Sequence, residues 1–279
     1  MPDKRPTNQG NTPPSRDDDV VKPLDEAEKD GADVGGAGAG ASATTPSSRG
    51  PVLIVAAHPD DPEFGCGATQ AKYVAQGRKV VVAVVTSGEE GGEDPSIPDA
   101  VLKAQREDEQ RRASSVIGVD TVEFLHYPDG HVANCYELKR DIVRLIRRHK
   151  PETIFTHDPT AHIFDGHINH PDHRAVGFAT LDAIFPAAGN PRSYRELLSE
   201  GLDAHKINEV YLFFTASANV WIDVHGYVET KADALREHAS QVKKPDEMKT
   251  RMLEGAQKSG EPHGVEAAEG FRRVVFHRG

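Results

Sequence analysis

Two hydrophobic rhythms alternate along residues 51–275. Short, nearly unbroken apolar runs at 52–57, 79–86, 122–127, 153–156 and 209–215 read as strands, and the first two are too apolar for a strand with one wet face. Residues 220–224 alternate apolar with polar and predict a further strand. Between these runs the apolar spacing changes to three and four. It predicts a helix opening over 71–76, a clear amphipathic helix over 138–146, and a helix over 175–184 whose first turn accommodates Pro171. From 98 to 117 apolar residues are sparse among charges, which predicts a solvent-facing helix ending near Gly118. Residues 226–241 and 247–258 predict closing helices. Strand and helix alternate throughout, so the expected fold is α/β: a doubly wound, mostly parallel, Rossmann-like sheet with helices on both faces, in a single domain over 50–279.

Polar residues at the strand ends carry the candidate chemistry. The 52–57 run feeds directly into His58, Pro59, Asp60 and Asp61, and in an open parallel sheet ligands gather at the carboxyl ends of the strands. A second cluster, His170, Pro171, Asp172 and His173, again follows a strand and precedes a helix. Either cluster alone reads as a helix cap or a polar surface loop. Two at equivalent places read as one site. If both loops lie at the same end of the sheet, His58, Asp61 and His173 converge. Two imidazoles and a carboxylate form the three-ligand set of a catalytic zinc, with one position left for water. The same set describes a ferrous site, so Fe2+ stays open beside Zn2+. Adjacent carboxylates repel, and a divalent cation stabilises both.

Composition narrows the class. The first 49 residues are rich in Pro, Ser, Thr, Asp and Gly and almost devoid of large apolar side chains, which predicts a disordered low-complexity tail over 1–49. Neither a secretory signal nor a run of membrane-spanning length is present. Cys66 and Cys135 are too few for a disulfide framework and suit a reducing compartment, so a soluble cytoplasmic protein is expected. The net charge of −11 persists beyond the tail and argues against a nucleic-acid surface. Of 14 histidines, His157, His162, His167, His170 and His173 fall in one short stretch.

The stretch from Ala57 to Thr69, with His170-Pro171-Asp172-His173, resembles the two signature motifs of the PIG-L/LmbE family of zinc-dependent N-deacetylases. Supporting matches are Thr86 to Glu89, Arg106 to Glu109 with Ile117-Gly118-Val119, Tyr127 to Gly130, Lys231 through Gln241, and Glu269 to Arg272, so the resemblance spans roughly 50–275. It implies a Rossmann-like hydrolase that removes an N-acyl group, in this family N-acetyl, from an amino sugar or glycoconjugate. It further implies His58, Asp61 and His173 as zinc ligands and Asp60 as the general base. His170 would stabilise the oxyanion, with Asp172 orienting and charging it. Asp129, Arg106 and Glu89 match substrate-contacting positions. Where the mycothiol-pathway branch carries a catalytic Tyr two residues before the first His of the second motif, this chain has Ile168. That departure argues against identity with that particular deacetylase.

Several residues take subsidiary readings. Cys66 reads as a packing residue. Glu89, Glu90, Glu93 and Asp94 form a loop that is either solvated or a cover over the site. His131, His157, His162 and His167 read as rim residues, and Asp158 and Asp165 as partners for ligand imidazoles. Two rival functions deserve weighing. A dinucleotide-binding oxidoreductase lacks the third glycine of its fingerprint after Gly65 and Gly67, and two carboxylates stand where a pyrophosphate would approach. A non-catalytic metal or sugar binder on the same fold would not need Asp60 and His170. The expected partner is a small N-acylated amino sugar, with neither nucleic acid nor a membrane span. Homo-oligomerisation is left open.

Overall fold

β2 (Val52–Ala56) and β3 (Val80–Thr86) are buried along their whole length, as strands with apolar side chains on both faces require. The computed structural model in which they lie describes residues 20–21, 49–164 and 166–276. The other strands are β1 (Val20–Val21), β4 (Thr121–Tyr127), β5 (Thr153–His157), β8 (Glu209–Phe213), β9 (Val220–Asp223) and β10 (Ala268–Val275), with a separate hairpin of β6 (Ile163–Phe164) and β7 (His167–Ile168). The helices are α1 (Asp61–Ala75), α2 (Asp99–Ile117), α3 (Tyr136–His149), α4 (Pro171–Asp182), the single turn α5 (Glu196–Ser199), α6 (Val228–Arg236) and α7 (Pro245–Gly260).

The main sheet runs in the order β1-β9-β10-β8-β5-β2-β3-β4. From β4 through β3, β2 and β5 to β8 every pairing is parallel. The chain builds outward from β2 to β4, then returns to the other side of β2 to lay down β5. This reversal opens a crevice at the carboxyl ends of β2 and β5, where an open α/β sheet binds its ligands. β10, β9 and β1 continue the sheet antiparallel, so the sheet is mostly rather than wholly parallel.

Strand alternation divides the core in two. Val52, Ile54, Val80, Val82 and Val84 face α1, α2 and α6 through Tyr73, Ala113, Ile117 and Ala234. Leu53, Val55, Val81 and Val85 face α3 and α4 through Leu138, Ile142, Ile146 and Val176. Helices therefore cover both faces, as the alternation predicts. Among the described residues no helix is long and apolar enough to cross a membrane.

The short β1, the β6–β7 hairpin and α5 were not expected, and two longer elements also differ from the expectation. β10 escapes the sequence reading because Glu269, Arg272 and Arg273 interrupt its apolar pattern. Inside the fold Glu269 is paired with Lys231 at 2.7 Å and Arg273 with Glu209 at 2.7 Å. α2 ends at Ile117 with Gly118 in the left-handed region, as expected, but it does not simply face solvent. Leu102, Arg106, Glu109, Gln110, Ala113, Ser114 and Ile117 are buried, a helical stripe in which four of the seven are polar. The tail reading of 1–49 falls mostly outside the described residues. Within that stretch Val20 and Val21 pair with Ile222 and Trp221 at the sheet edge.

Candidate metal centre and active site

The first loop is set by a strained turn. Asp60 lies at φ 95°, ψ −30°, a left-handed conformation that costs a non-glycine residue about 1–2 kcal/mol. Neighbours hold it there. The Asp60 amide donates to Gln110 Oε1 at 2.9 Å, and Arg106 Nη2 donates to the Pro59 carbonyl at 2.8 Å. Pro62 then enters the first turn of α1, where its missing N–H costs nothing. The His58 amide donates to Asp61 Oδ2 at 2.8 Å, which folds the Asp61 carboxylate back toward the end of β2.

The second cluster meets this loop across the crevice. His58 Nδ1 lies 3.3 Å from Asp61 Oδ2 and 3.3 Å from His173 Nε2, and His173 Nε2 lies 3.2 Å from Asp61 Oδ1. Asp61 thus offers a different carboxylate oxygen to each imidazole, and donors of these types spaced about 3.3 Å apart suit a small divalent cation. The donor-rich region is wider than this trio. His58, His170 and His173 form another group close enough to share an ion, as do Asp61, His157 and His173, and His58, Asp129 and Asp172.

The remaining ring nitrogens are anchored. His58 Nε2 faces Asp129 Oδ1 at 3.0 Å and Asp172 Oδ2 at 3.3 Å, and His173 Nδ1 meets Asn169 Oδ1 at 3.0 Å. Such partners fix the tautomer and orientation of metal-binding imidazoles. Asp172 is held by the Gly130 and Val132 amides at 2.8 and 3.2 Å, and Asp129 by the Glu90 amide at 2.9 Å.

The field follows from this crowding of carboxylates. Burial opposes charge on His58, but hydrogen bonds to Asp129, Asp172 and Asp61 outweigh it and the imidazole is pushed up to about 12. A pocket that holds a proton so firmly favours a cation. Burial likewise opposes charge on Asp61, yet His173 holds its carboxyl well below the usual range. Burial and the Asp61 charge lift Asp60 to about 6, against Arg106.

Several expected roles are redistributed. The Asp172 carboxylate hydrogen-bonds His58 and reaches His170 through its charge, which favours the protonated His170 ring. It is the Asp172 amide that donates to His170 Nδ1, at 3.2 Å. Burial and the neighbouring His58 lower the His170 pKa, so its exposed ring presents a neutral Nε2–H. Arg106 is turned inward, only 4% exposed, and its donors go to the Gly88 and Pro59 carbonyls and to Asp60 Oδ2 at 3.4 Å. It ties two site loops together, and its buried Nε has no hydrogen-bond partner. Asp129 is buried against His58. Glu89 stays at the edge of the site, accepting from Lys103 Nζ at 2.8 Å and the Asp129 amide at 3.4 Å, while Glu90, Glu93 and Asp94 are exposed.

His157 is not at the rim. It ends β5, is fully buried, accepts from the Ala57 amide at 3.0 Å, lies 3.3 Å from Asp61 Oδ2 and stacks on His173 at 4.1 Å between ring centres. Burial and His173 push its pKa down to about 3, so it is a neutral prop for both loops. Its position at the carboxyl end of a strand paired with β2 was the available signal. His131, His162 and His167 are exposed, as a rim requires. Asp158 binds Thr160 and Thr215 at 2.7 and 2.6 Å instead of an imidazole, and the residue that sequence reasoning missed in that role is Asn169. Asp165 lies outside the described residues.

Cys66 is fully buried at a kink in α1, with Sγ 3.5 Å from the Pro62 carbonyl, and burial pushes its thiol well up. Alkylation of the native protein is therefore expected at the half-buried Cys135 alone, with Cys66 labelled only on unfolding. Mass spectrometry before and after denaturant checks this, and native labelling of Cys66 would contradict it.

In sequence and in fold the chain is similar to known proteins. Residues 53–184 match the family described as PIG-L: GlcNAc-PI de-N-acetylase. A diacetylchitobiose deacetylase of Thermococcus kodakarensis is 33% identical over 190 residues, covering 68% of this chain and 69% of that protein. A 1D-myo-inositol 2-acetamido-2-deoxy-alpha-D-glucopyranoside deacetylase of Streptomyces scabiei is 30% identical, covering 68% of this chain and 76% of its own. The solved N,N'-diacetylchitobiose deacetylase of Pyrococcus horikoshii superposes with a TM-score of 0.74 at 28% identity, over 82% of this chain and 85% of that one.

Proposed function

The chain belongs to the PIG-L family and is an N-deacetylating hydrolase, and we propose that it uses zinc, held by His58, Asp61 and His173, to remove the acetyl group of an N-acetylglucosamine-type sugar. The observation that carries this reading is the meeting of those three side chains at 3.2–3.3 Å, with Asp60 close enough to feel the charges of Asp61 and His58. Bound there, zinc supplies a Lewis acid and brings the pKa of water toward neutrality.

The protein's own groups do the rest. Asp60, with its pKa lifted to about 6, is ionised at neutral pH yet basic enough to take a proton from the attacking water. As the water oxygen bonds to the amide carbon, the His170 Nε2–H donates to the developing oxyanion. Asp60 then returns its proton to the nitrogen as the C–N bond breaks, giving acetate and a free amine. Glu89 lies at the edge of this centre, Asp129 and Asp172 hold the His58 ring, and Arg106 ties its loops. Both cysteines are free, which suits the reducing cytoplasm in which we place the enzyme.

The test is amine and acetate release from N-acetylglucosamine and diacetylchitobiose before and after chelation. Release that is abolished by chelator and restored by one equivalent of Zn2+ is expected. Chelator-resistant release, or release restored by Fe2+ and not Zn2+, would overturn the metal assignment. No release from any N-acetylated sugar would overturn the substrate class. A finer effect is expected at Asn169: Asn169→Ala removes the anchor on His173 and weakens zinc binding about 10- to 100-fold. Competition against a chromophoric chelator measures this, and unchanged affinity would count against His173 as a ligand.

A further inference from the structure

The polar stripe of α2 has a purpose that packing alone does not supply. Gln110, Glu63 and His238 are each 0% exposed, and they come from α2, α1 and the turn after α6. They form one hydrogen-bonded line. His238 Nε2 meets Glu63 Oε2 at 3.2 Å, Gln110 Nε2 donates to Glu63 Oε1 at 2.8 Å and to Ser114 Oγ at 3.1 Å, and Gln110 Oε1 accepts from the Asp60 amide at 2.9 Å. Buried amide, carboxylate and imidazole groups are costly unless paired, and apolar residues of the same size would fill the space more cheaply. The line ends on the backbone of Asp60, whose φ of 95° is the one left-handed non-glycine angle in the two motif loops.

We propose that Gln110, braced by Glu63 and His238, is a positioning residue that holds the Asp60 backbone in its left-handed turn and so aims the Asp60 carboxylate at the reacting water. The two motif loops supply the ligands, and this line sets the base. Gln110 touches none of His58, Asp61 or His173 through any hydrogen bond, so its loss leaves metal binding intact and acts on turnover. The inference rests on the reading of Asp60 as the general base.

The experiment is a double-mutant cycle with Gln110→Met and Asp60→Asn, reading kcat, KM and zinc content of each holoenzyme. Gln110→Met is expected to lower kcat about 10- to 100-fold, the scale of a small misplacement of a catalytic group, with KM and zinc content unchanged. Combined with Asp60→Asn it is expected to cost nothing more, because both changes remove the same event. Full kcat in Gln110→Met, a loss that multiplies in the double variant, or a parallel loss of zinc would each overturn the inference. Full kcat in Asp60→Asn alone would overturn the base reading, and that result is visible before Gln110 enters. Should Gln110→Met fail to fold, His238→Leu and His238→Gln ask the same question from the far end. Lower kcat in the former, with recovery in the latter through an amide donor to Glu63, supports the inference, whereas equal kcat in both overturns it.

Discussion

Asp60→Asn is expected to keep its full complement of zinc and to lose about 10^3-fold in kcat, within the range that general acid–base catalysis contributes. Asp60 belongs to none of the metal-capable groups found among the described residues, so the ion should not notice the change. The two side chains are nearly isosteric, and Asn tolerates a left-handed backbone at least as well as Asp, so the turn at φ 95° should survive. What disappears is the ability to take a proton. Metal analysis and amine-release kinetics on the same preparation check the pair of expectations. Near-normal kcat would pass the base role to another group, and loss of zinc would make Asp60 a ligand.

The second large effect is on stability. α1 is broken at Cys66, where φ −153° and ψ 27° interrupt the helix, and the amides that begin its second half need an acceptor. Glu269, from β10, supplies it. Its Oε2 accepts from the Thr69 amide at 2.8 Å and from Thr69 Oγ1 at 2.6 Å, and its Oε1 accepts from the Ala68 amide at 3.3 Å. Lys231 Nζ neutralises it at 2.7 Å and donates to the Phe64 carbonyl at 2.8 Å. Glu269 and Lys231 are 9% and 8% exposed. Glu269→Ala would leave a buried ammonium without its partner and two amides without acceptors, at a cost of about 3–5 kcal/mol. Adding Lys231→Met removes the stranded charge and should recover part of that loss. Urea denaturation of the two variants measures both. A loss below about 1 kcal/mol is what a solvent-screened surface pair would give, and would contradict the burial of this one.

The sequence reading succeeded where one local pattern decides one structural outcome. β2 and β3 bury both faces, so unbroken apolar runs identify them, and a His or carboxylate placed directly after such a run must arise at the sheet's carboxyl edge. His58, Asp60 and Asp61 were legible for that reason, and the repeated logic at His170 and His173 made the pairing legible too. The supporting layer depends on which elements become neighbours, and no local pattern encodes that. Asp129 follows β4 and Asp172 opens α4, yet both close on His58. His157 looks like one of several loop histidines until β5 is placed beside β2. α2 misled for the opposite reason: a helix with a polar buried stripe reads as a wet one, and only the contacts of Arg106 with Gly88 and Pro59 and of Gln110 with Asp60 show that the polar face is the inner one.

Anomalous diffraction at the zinc edge, from crystals of the zinc-loaded enzyme, tests the central claim most directly. The expected result is one peak per chain, about 2.0–2.2 Å from His58 Nδ1, His173 Nε2 and a carboxylate oxygen of Asp61, with His58 Nε2 still on Asp129 and Asp172. A peak seated instead among His58 Nε2, Asp129 and Asp172, or on His157, or no peak at all, would contradict it.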